Sequence, residues 1–375
     1  MSEISSAGVS TPGSTIAADA PGKLLLLGEY AVLAGAPALV MAIDRRVRVL
    51  LEPVRDGEAM LHAPQLGIED EPLRWSDSGL HGGPGLHRLG MTARLLPLLA
   101  RGFGIASEQL NRIRIEIDSA ELFAAVVSQP GSPEKVKLGL GSSGAVTAAL
   151  VCALELLSGA AQGAVAERWE RWLPAYRSAL DSDASGADLA ASLAGGLHLL
   201  RPGPDGGLQL EQRDWPEGLL WRAIWVGAPA QTVDYVAAFK AWQTREPVAA
   251  ARLVAALGER VEAVGKSDSA STWLESFEGY AELIEPLGSA IGRAVLSAPH
   301  LRLRTLAREH AVVYKSCGAG GGDLGVAISS DPTRLEAFCR AAWSQDVHPL
   351  DLRIDWRGAS ARRIGSAQAD RTFIA

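Results

Sequence analysis

Residues 135–146, KVKLGLGSSGAV, place three glycines and two serines between a pair of lysines and a long apolar run. A glycine-rich turn that opens a helix exposes unpaired backbone N–H groups, and the helix dipole adds partial positive charge. The stretch therefore predicts an anion site at the start of a buried helix, which the apolar run Ala145–Leu157 would form. It has neither the order GxxxxGK(S/T) of a P-loop nor the order GxGxxG of a dinucleotide fold. Glycines alone equally suit tight turns or close packing.

Lysine is scarce in this chain and is concentrated beside glycine-rich segments. Only six of the 36 basic residues are lysines, and four of the six lie in four glycine-rich segments that contain no arginine. The segments are Pro21–Pro37, Lys135–Val151, Ser182–Gly196 and Lys315–Gly325. A compact ammonium group fits between phosphate oxygens where the planar fork of arginine does not. The distribution favours phosphate as the anion, with ordinary solvated lysines as the alternative.

The composition excludes several classes of protein. A length of 375 residues suits two lobes, and a net charge of −7 argues against a nucleic-acid surface, which is normally basic. Three widely spaced cysteines fit a reducing cytoplasm better than a zinc site or a disulfide framework. The most apolar segment, Leu24–Ile43, is interrupted by Glu29 and Pro37, so we expect no transmembrane helix. The predicted protein is cytoplasmic, without nucleic-acid or membrane partners, and is either a monomer or a homodimer.

Residue periodicity predicts an α+β architecture. Alternating apolar and charged residues indicate strands, and apolar spacing of three to four residues indicates helices. The predicted strands are Arg45–Pro53, Asn111–Ser119, about 351–356, and a strand–turn–strand at 17–30 with its turn at Pro21-Gly22. Helical spacing dominates residues 232–310, and Ala311–Ile328 is predicted as strand, glycine loop and strand. We expect a disordered tail at 1–15, an N-terminal lobe at 16–210 and a C-terminal lobe at 211–375.

Three segments resemble the signature segments of the GHMP superfamily, which comprises galactokinase, homoserine kinase, mevalonate kinase and phosphomevalonate kinase. They are APGKLLLLGEYAVLAGAPALVMAI at 20–43, LGLGSSGAVTAAL at 138–150 and CGAGGGDLG at 317–325. The resemblance implies a two-lobed α+β small-molecule kinase with its active site in the cleft between the lobes. Within the superfamily, the tyrosine of GEYAVL, the lysine before LGLGSSG and the segment KSCGAGGGDLG are similar to the phosphomevalonate kinases.

This resemblance implies ATP-dependent phosphorylation of 5-phosphomevalonate to 5-diphosphomevalonate, with Mg²⁺ as the metal. The implied catalytic residues are Lys23, Lys137 and Asp188. The implied nucleotide loop comprises Gly139, Leu140, Gly141, Ser142, Ser143 and Gly144. Ser143 is also the implied metal contact. The C-terminal glycine loop would bind the acceptor. The implied substrate-binding residues are Lys23, Tyr30, Lys137, Ser185, Gly186, Ser316, Gly318, Ala319 and Gly320.

The role of Asp188 depends on the acceptor. A phosphate monoester has its second pKa near 6 and is mostly dianionic at neutral pH, so it needs no base. We therefore favour a role for Asp188 in orienting the acceptor or polarising Lys23 over a role as general base. The alternative functions are mevalonate kinase or another GHMP small-molecule kinase, and a non-catalytic ligand sensor with this fold. The joint presence of Lys23, Ser143 and Asp188 argues against the sensor.

Overall fold

The computed structural model describes residues 14–54, 58–129, 132–203, 207–227, 232–343 and 347–365. The strands in these ranges are β1 Thr15–Leu27, β2 Ala38–Pro53, β3 Ala59–Ala63, β4 Ile68–Ser76, β5 Gly79–Gly82, β6 Ile113–Asp118, β7 Phe123–Gln129, β8 Ser132–Lys137, β9 Leu197–Pro202, β10 Leu208–Arg213, β11 Leu220–Trp225, β12 Val313–Cys317, β13 Leu324–Ser329, β14 His348–Leu350 and β15 Ser360–Ile364.

The helices in the same ranges are α1 Gly85–Arg88, α2 Met91–Gly102, α3 Ser107–Leu110, α4 Ser142–Ser158, α5 Val165–Leu180, α6 Ala187–Ala194, α7 Thr232–Arg245, α8 Pro247–Gly265, α9 Ala270–Ile284, α10 Leu287–Ile291, α11 Ala298–Glu309 and α12 Pro332–Trp343. Short 3-10 helices lie at Ala31–Ala34, Pro64–Leu66 and Ala120–Leu122.

The first lobe is built on a nine-stranded sheet. Its order is β10-β9-β2-β6-β3-β4-β5, and β1 pairs with both β2 and β15. The strand pairs are antiparallel apart from β3 and β6, which run parallel. In β6 the isoleucines are buried and the intervening charged residues are partly exposed, as the period of a half-buried strand requires. Helix α4 packs on β1 and β2 and against α2 and α6, which fixes the start of α4 over the sheet.

The second lobe contains a four-stranded sheet of order β12-β13-β11-β14. Helices α11 and α12 cover it, and a cluster that includes Ile224, Tyr314 and Phe338 fills the space between them. The lobes are not separate units. The largest hydrophobic cluster contains Leu24 of β1 together with Trp273 of α9 and other residues of both lobes.

The chain returns to the first lobe after the second. The guanidinium of Arg46 on β2 forms ion pairs with Asp19 and Asp355 and donates to the carbonyl of Gly358 at 2.6 Å. Beyond this anchor β15 pairs antiparallel with β1, with Thr15 opposite Ile364. The predicted boundary after residue 210 falls inside β10, so no single cut follows the sheets. The predicted residue boundaries of the two lobes stay a prediction.

The predicted α+β class is confirmed, but two details of the strand prediction were wrong. The 17–30 segment is not broken by a turn: β1 is continuous and takes up Pro21 with a bulge in its pairing to β2, where the missing proline N–H is tolerated. The described residues at 351–356 form only one isolated bridge, Ile43 to Ile354, in which the N–H of Asp44 donates to the carbonyl of Arg353 and the N–H of Asp355 donates to the carbonyl of Ala42. The predicted tail lies outside the described residues up to residue 13, and β1 begins at Thr15.

Candidate active site

The loop before α4 is fixed to β1 by its backbone and shaped by two glycines. The N–H of Lys23 donates to the carbonyl of Leu140 at 2.8 Å. Gly139 and Gly141 have φ of 77° and 74°, a region that strongly favours glycine. A Cβ on Gly141 would lie 2.7 Å from Cγ of Lys23, and a Cβ on Gly139 would lie 2.4 Å from Cγ of Asp323. Glycine therefore lets one side chain from each lobe reach this loop.

A third glycine brings α4 and α6 together. Gly144 lies in the first turn of α4, and a Cβ there would be 2.7 Å from the carbonyl carbon of Asp188 and 2.9 Å from the N–H nitrogen of Leu189. Both neighbours are backbone atoms and cannot rotate away. The absence of a side chain at Gly144 thus sets how near α6, and with it Asp188, comes to the loop.

We expect Gly144→Ala to destabilise the protein by about 1–3 kcal/mol, because the added methyl must displace α6 within a packed region. Alanine is intrinsically better in a helix than glycine by about 1 kcal/mol. A net loss of unfolding free energy would therefore show that the close approach of α6 to α4 had been disturbed. Gly258→Ala on α8 is the matched control, since a Cβ there meets only ordinary contacts at 3.5 and 3.7 Å. Denaturant unfolding would measure both. Equal or opposite changes in the two variants would contradict the close-approach argument.

A cavity of about 380 Å³ lies between the lobes at this loop. Most of the predicted site residues line it: Lys23, Tyr30, Lys137, Gly139, Gly141, Ser142, Ser143, Ser185, Asp188, Gly318 and Ala319. They come from β1 and the turn after it, the end of β8, the loop before α4 and its first turn, the loop before α6 and its first turn, and the glycine loop after β12. The fold thus brings residues that are more than 290 positions apart in the sequence, such as Lys23 and Ala319, to the lining of the same cavity.

Five predicted residues lie behind the cavity wall: Leu140, Gly144, Gly186, Ser316 and Gly320. Leu140 and Ser316 are buried side chains that support their loops from below. A Cβ on Gly186 would collide with side chains of α5, and one on Gly320 would collide with the backbone of Val295. These positions shape the site through their backbone and packing.

Asp188 faces the cavity from the first turn of α6. Its Oδ2 accepts a hydrogen bond from the hydroxyl of Tyr176 at 2.6 Å, and its Oδ1 accepts the N–H of Leu189 at 2.9 Å. Burial, together with the negative charge of Asp188, raises the pKa of Tyr176 well above its usual value, so the hydroxyl stays protonated and donates. Among the described residues no ion pair joins Asp188 to Lys23. Sequence patterns gave Tyr176 no role, since it belongs to none of the glycine-rich segments.

A buried ion pair joins the two lobes beside the cavity. Nζ of Lys315 on β12 lies 2.5 Å from Oε1 of Glu29, and each side chain is 3% exposed. The same Glu29 oxygen accepts the N–H of Gly318 at 3.3 Å, which ties the carboxylate to the glycine loop. Burial raises the pKa of Glu29, and the charge of Lys315 opposes that rise. The prediction that lysines beside glycine loops bind phosphate was therefore wrong for Lys315, whose charge is already paired.

Two tyrosines complete the junction between the lobes. The hydroxyl of Tyr30 donates to the carbonyl of Ala319, and its ring lies 5.1 Å from that of Phe239. The hydroxyl of Tyr280 donates to the backbone carbonyl of Glu29 at 2.9 Å, and Nζ of Lys315 lies 5.1 Å from the Tyr280 ring centre. The turn that carries Glu29 and the glycine loop at 318–319 are thus held as one unit.

The glycine loop is also braced from behind. Buried His300 lies 2.8 Å from the hydroxyl of Tyr314 through Nδ1 and 3.0 Å from the carbonyl of Gly322 through Nε2. Burial lowers the pKa of His300 to about 4, so the ring is neutral at physiological pH. Because a carbonyl only accepts, Nε2 carries the proton and Nδ1 accepts from Tyr314. Burial also raises the pKa of Cys317 to about 12, so this loop holds no thiolate nucleophile at neutral pH.

The sequence and fold are similar to known kinases. The chain is 28% identical to the phosphomevalonate kinase of Streptomyces sp. (strain CL190), over 92% of this chain and 98% of that protein. Mevalonate kinases are also similar, and that of Bos taurus is 26% identical over 82% of this chain and 84% of its own length. No family model matches the chain. Within the described residues, every helix is too short or too polar to cross a bilayer.

Solved structures show the same fold. A Lin0012 protein from Listeria innocua has a TM-score of 0.77 and 20% identity, covering 93% of this chain and 99% of its own. Streptococcus pneumoniae phosphomevalonate kinase, solved with phosphomevalonate and AMPPNP, has a TM-score of 0.68 and 20% identity over the same shares. The chain therefore has the α+β fold of these kinases, and its similarity to phosphomevalonate and mevalonate kinases supports a phosphotransferase. Within the class, it resembles phosphomevalonate kinase over nearly its full length, which confirms the resemblance seen in its three segments.

Proposed function

We propose that this protein transfers the γ-phosphoryl group of ATP to the phosphate of 5-phosphomevalonate, giving ADP and 5-diphosphomevalonate in the mevalonate route to isoprenoids. The observation that carries the proposal is one cavity lined by Lys23, Lys137, the loop before α4, Asp188 and the glycine loop at 318–319. The full-length similarity to phosphomevalonate kinase supports the choice of acceptor. In the reaction the bond from the γ-phosphorus to the bridging oxygen of ATP breaks, and an acceptor phosphate oxygen forms the new bond.

Charge repulsion is the main obstacle to this reaction, since donor and acceptor are both anionic. Phosphoryl transfer depends chiefly on positioning and charge neutralisation. Within the described residues, Lys23 and Lys137 both line the cavity, and neither forms an ion pair with a protein carboxylate. Lys23 would lie between donor and acceptor, because its stem packs against Gly141 of the nucleotide loop. The exposed Lys137 would bind the acceptor phosphate from the other side.

The acceptor would lie against Asp188, Ser185 and the glycine loop at 318–319. Asp188 has a fixed position, since both of its oxygens accept hydrogen bonds from the protein. This arrangement supports an orienting role and needs no proton transfer from the dianionic phosphate. The start of α4 and the amides of the loop before it would surround the phosphates of ATP.

The donor atoms of the site fit Mg²⁺. Ser142, Ser143 and Asp188 offer hard oxygen donors to the cavity. The described residues contain no group of three or more His, Cys, Asp or Glu side chains placed to hold a metal. Mg²⁺ typically keeps several waters and binds through one or two carboxylates together with substrate phosphates. When bound, the ion would neutralise charge on the β- and γ-phosphate oxygens.

We expect Ser143→Ala to lower kcat about tenfold at limiting Mg²⁺, the scale of one lost hydroxyl contact. Raising the Mg²⁺ concentration should restore much of the rate if the hydroxyl helps to hold the metal. Ser158→Ala at the far end of α4 is the matched control, because its hydroxyl donates to the carbonyl of Glu155 in the same helix and accepts the N–H of Ala160. Unchanged rate and nucleotide affinity in the Ser143 variant would remove this residue from the site.

An acceptor panel tests the proposed function. Purified protein would be mixed with Mg·ATP and one of phosphomevalonate, mevalonate, homoserine or galactose, with release of ADP measured and products identified by phosphorus NMR. We expect turnover of phosphomevalonate with the appearance of a diphosphate resonance. If mevalonate is turned over and phosphomevalonate is not, the proposed activity is wrong and the protein is a mevalonate kinase. Binding of ligands without turnover would favour the sensor.

A further inference from the structure

The segment 184–188, which carries Asp188 into the cavity, is organised by helix α5. Three side chains of α5 donate hydrogen bonds to it. Nε1 of Trp169 donates to the carbonyl of Gly186 at 2.9 Å, Nε of Arg177 donates to the carbonyl of Ala184 at 2.8 Å, and the hydroxyl of Tyr176 donates to Oδ2 of Asp188. The first two bonds end on backbone carbonyls. The bond from Tyr176 ends on a charged group of the cavity.

The ring of Tyr176 belongs to the hydrophobic core, but its hydroxyl does not. The residue is 0% exposed and packs within the largest apolar cluster, where phenylalanine would suffice. A buried hydroxyl without a partner is costly, so a tyrosine at such a position needs an acceptor. The acceptor of Tyr176 in this structure is Asp188, at 2.6 Å, and both residues line the cavity. The hydroxyl of Tyr176 therefore binds the Asp188 carboxylate, while its ring packs in the hydrophobic core.

We propose that Tyr176 is a positioning residue of the kinase reaction, which holds the Asp188 carboxylate in the orientation that faces the acceptor. This inference rests on the proposed function, because it concerns the step in which the acceptor is aligned with ATP. Asp188 is joined to the main chain by a short side chain with two rotatable bonds. With its Oδ2 bound to a hydroxyl on a rigid, packed helix, one side-chain orientation is selected, and the remaining lone pairs of its oxygens are left for the acceptor site.

A double-mutant cycle tests this inference in the full-length protein with Mg·ATP and phosphomevalonate. Tyr176→Phe should lower kcat by about ten- to a hundredfold, the range for a hydrogen bond to a charged group, and leave KM for ATP unchanged. In an Asp188→Asn background the same substitution should have much less effect on kcat, because Tyr176 acts through the carboxylate. Unfolding of each variant in denaturant would run in parallel, so that rates are compared among folded proteins.

Tyr314→Phe is the matched control. Tyr314 is also buried, and its hydroxyl bonds to His300, away from Asp188. Any effect of this substitution should be the same in the wild-type and Asp188→Asn backgrounds. A Tyr176→Phe protein that is destabilised but keeps the wild-type kcat would overturn the positioning role and leave a structural one. An effect of Tyr176→Phe that is undiminished in the Asp188→Asn background would also overturn it.

The result of the double-mutant cycle can be distinguished from the result of the acceptor panel. If the wild-type protein turns over a different acceptor of the panel, the identity of the substrate fails, and the cycle is then run with that acceptor. Coupling between positions 176 and 188 would support the positioning role for the reaction found. Independent effects at the two positions would reject it whichever acceptor is used.

Discussion

Lys23→Met is expected to lower kcat by about 10²–10³-fold, the effect typical of removing one preorganised group that stabilises charge in a transition state. Lys23 is half-buried at the floor of the cavity, and its N–H is bonded to Leu140 of the nucleotide loop. Its ammonium would therefore meet the phosphoryl group as charge moves from ATP to the acceptor. Methionine keeps the apolar stem that packs against Gly141, so the variant should fold normally. Steady-state kinetics with both substrates varied would measure the change.

Lys137→Ala is the matched comparison for this variant. Lys137 is exposed at the end of β8, and we place it on the acceptor phosphate. Its removal should raise KM for phosphomevalonate by about ten- to a hundredfold, the worth of one charge-assisted contact, and leave kcat less affected. A Lys23→Met protein with normal kcat and a raised KM would contradict the placement of Lys23 between the two substrates.

Lys315→Met is expected to cost about 3–5 kcal/mol of unfolding free energy, because it leaves the carboxylate of Glu29 buried without its partner. The loss should be smaller at pH 5 than at pH 8. Without Lys315, only the backbone hydrogen bonds to the carboxylate, such as that from Gly318, oppose the rise that burial causes in the pKa of Glu29. A group whose pKa is raised on folding contributes stability at low pH and loses it as the pH rises through the folded value. Denaturant unfolding at the two pH values would measure both effects.

Two further variants isolate the charge. Lys266→Met removes an exposed lysine and should change stability by less than about 0.5 kcal/mol. Glu29→Gln combined with Lys315→Met removes the uncompensated charge and should recover part of the loss. A double variant no more stable than Lys315→Met would show that lost packing of the lysine stem, and not the buried charge, causes the destabilisation.

The conformation of the loop before α4 was predictable from sequence, because it depends on residues close together in the chain, whereas its role in binding nucleotide stays a proposal. Gly139, Gly141 and Gly144 lie next to the helix they serve, so their spacing and the apolar run are visible in one short stretch. The residues proposed for the acceptor side came only from the resemblance, and their role stays a prediction. Nothing in the sequence pairs Tyr176 with Asp188, because that contact depends on how α5 and α6 pack.

The prediction for Lys315 shows the limit of an argument from composition. Like Lys23, Lys315 lies close in sequence to several glycines, so local sequence does not distinguish the two lysines. They differ in burial and in the presence of a carboxylate 286 positions away at Glu29, neither of which local sequence reveals. The last strand was misplaced for a related reason. Its alternating pattern is local, whereas its pairing partner is β2, and residues 351–356 pair with β2 only at the bridge from Ile354 to Ile43.

The pairing of β1 with β15 has a consequence for synthesis. Among the described strands β1 is made first and β15 last, and the stretch of roughly 350 residues that they span takes about 20–70 s to translate at 5–20 residues per second. During that time one edge of β1 has no strand beside it, although β2 can already pair with the other. An unpaired edge is a template for strands of other chains. The nascent protein is thus expected to be prone to misassociation at this edge of β1 until β15 has left the ribosome.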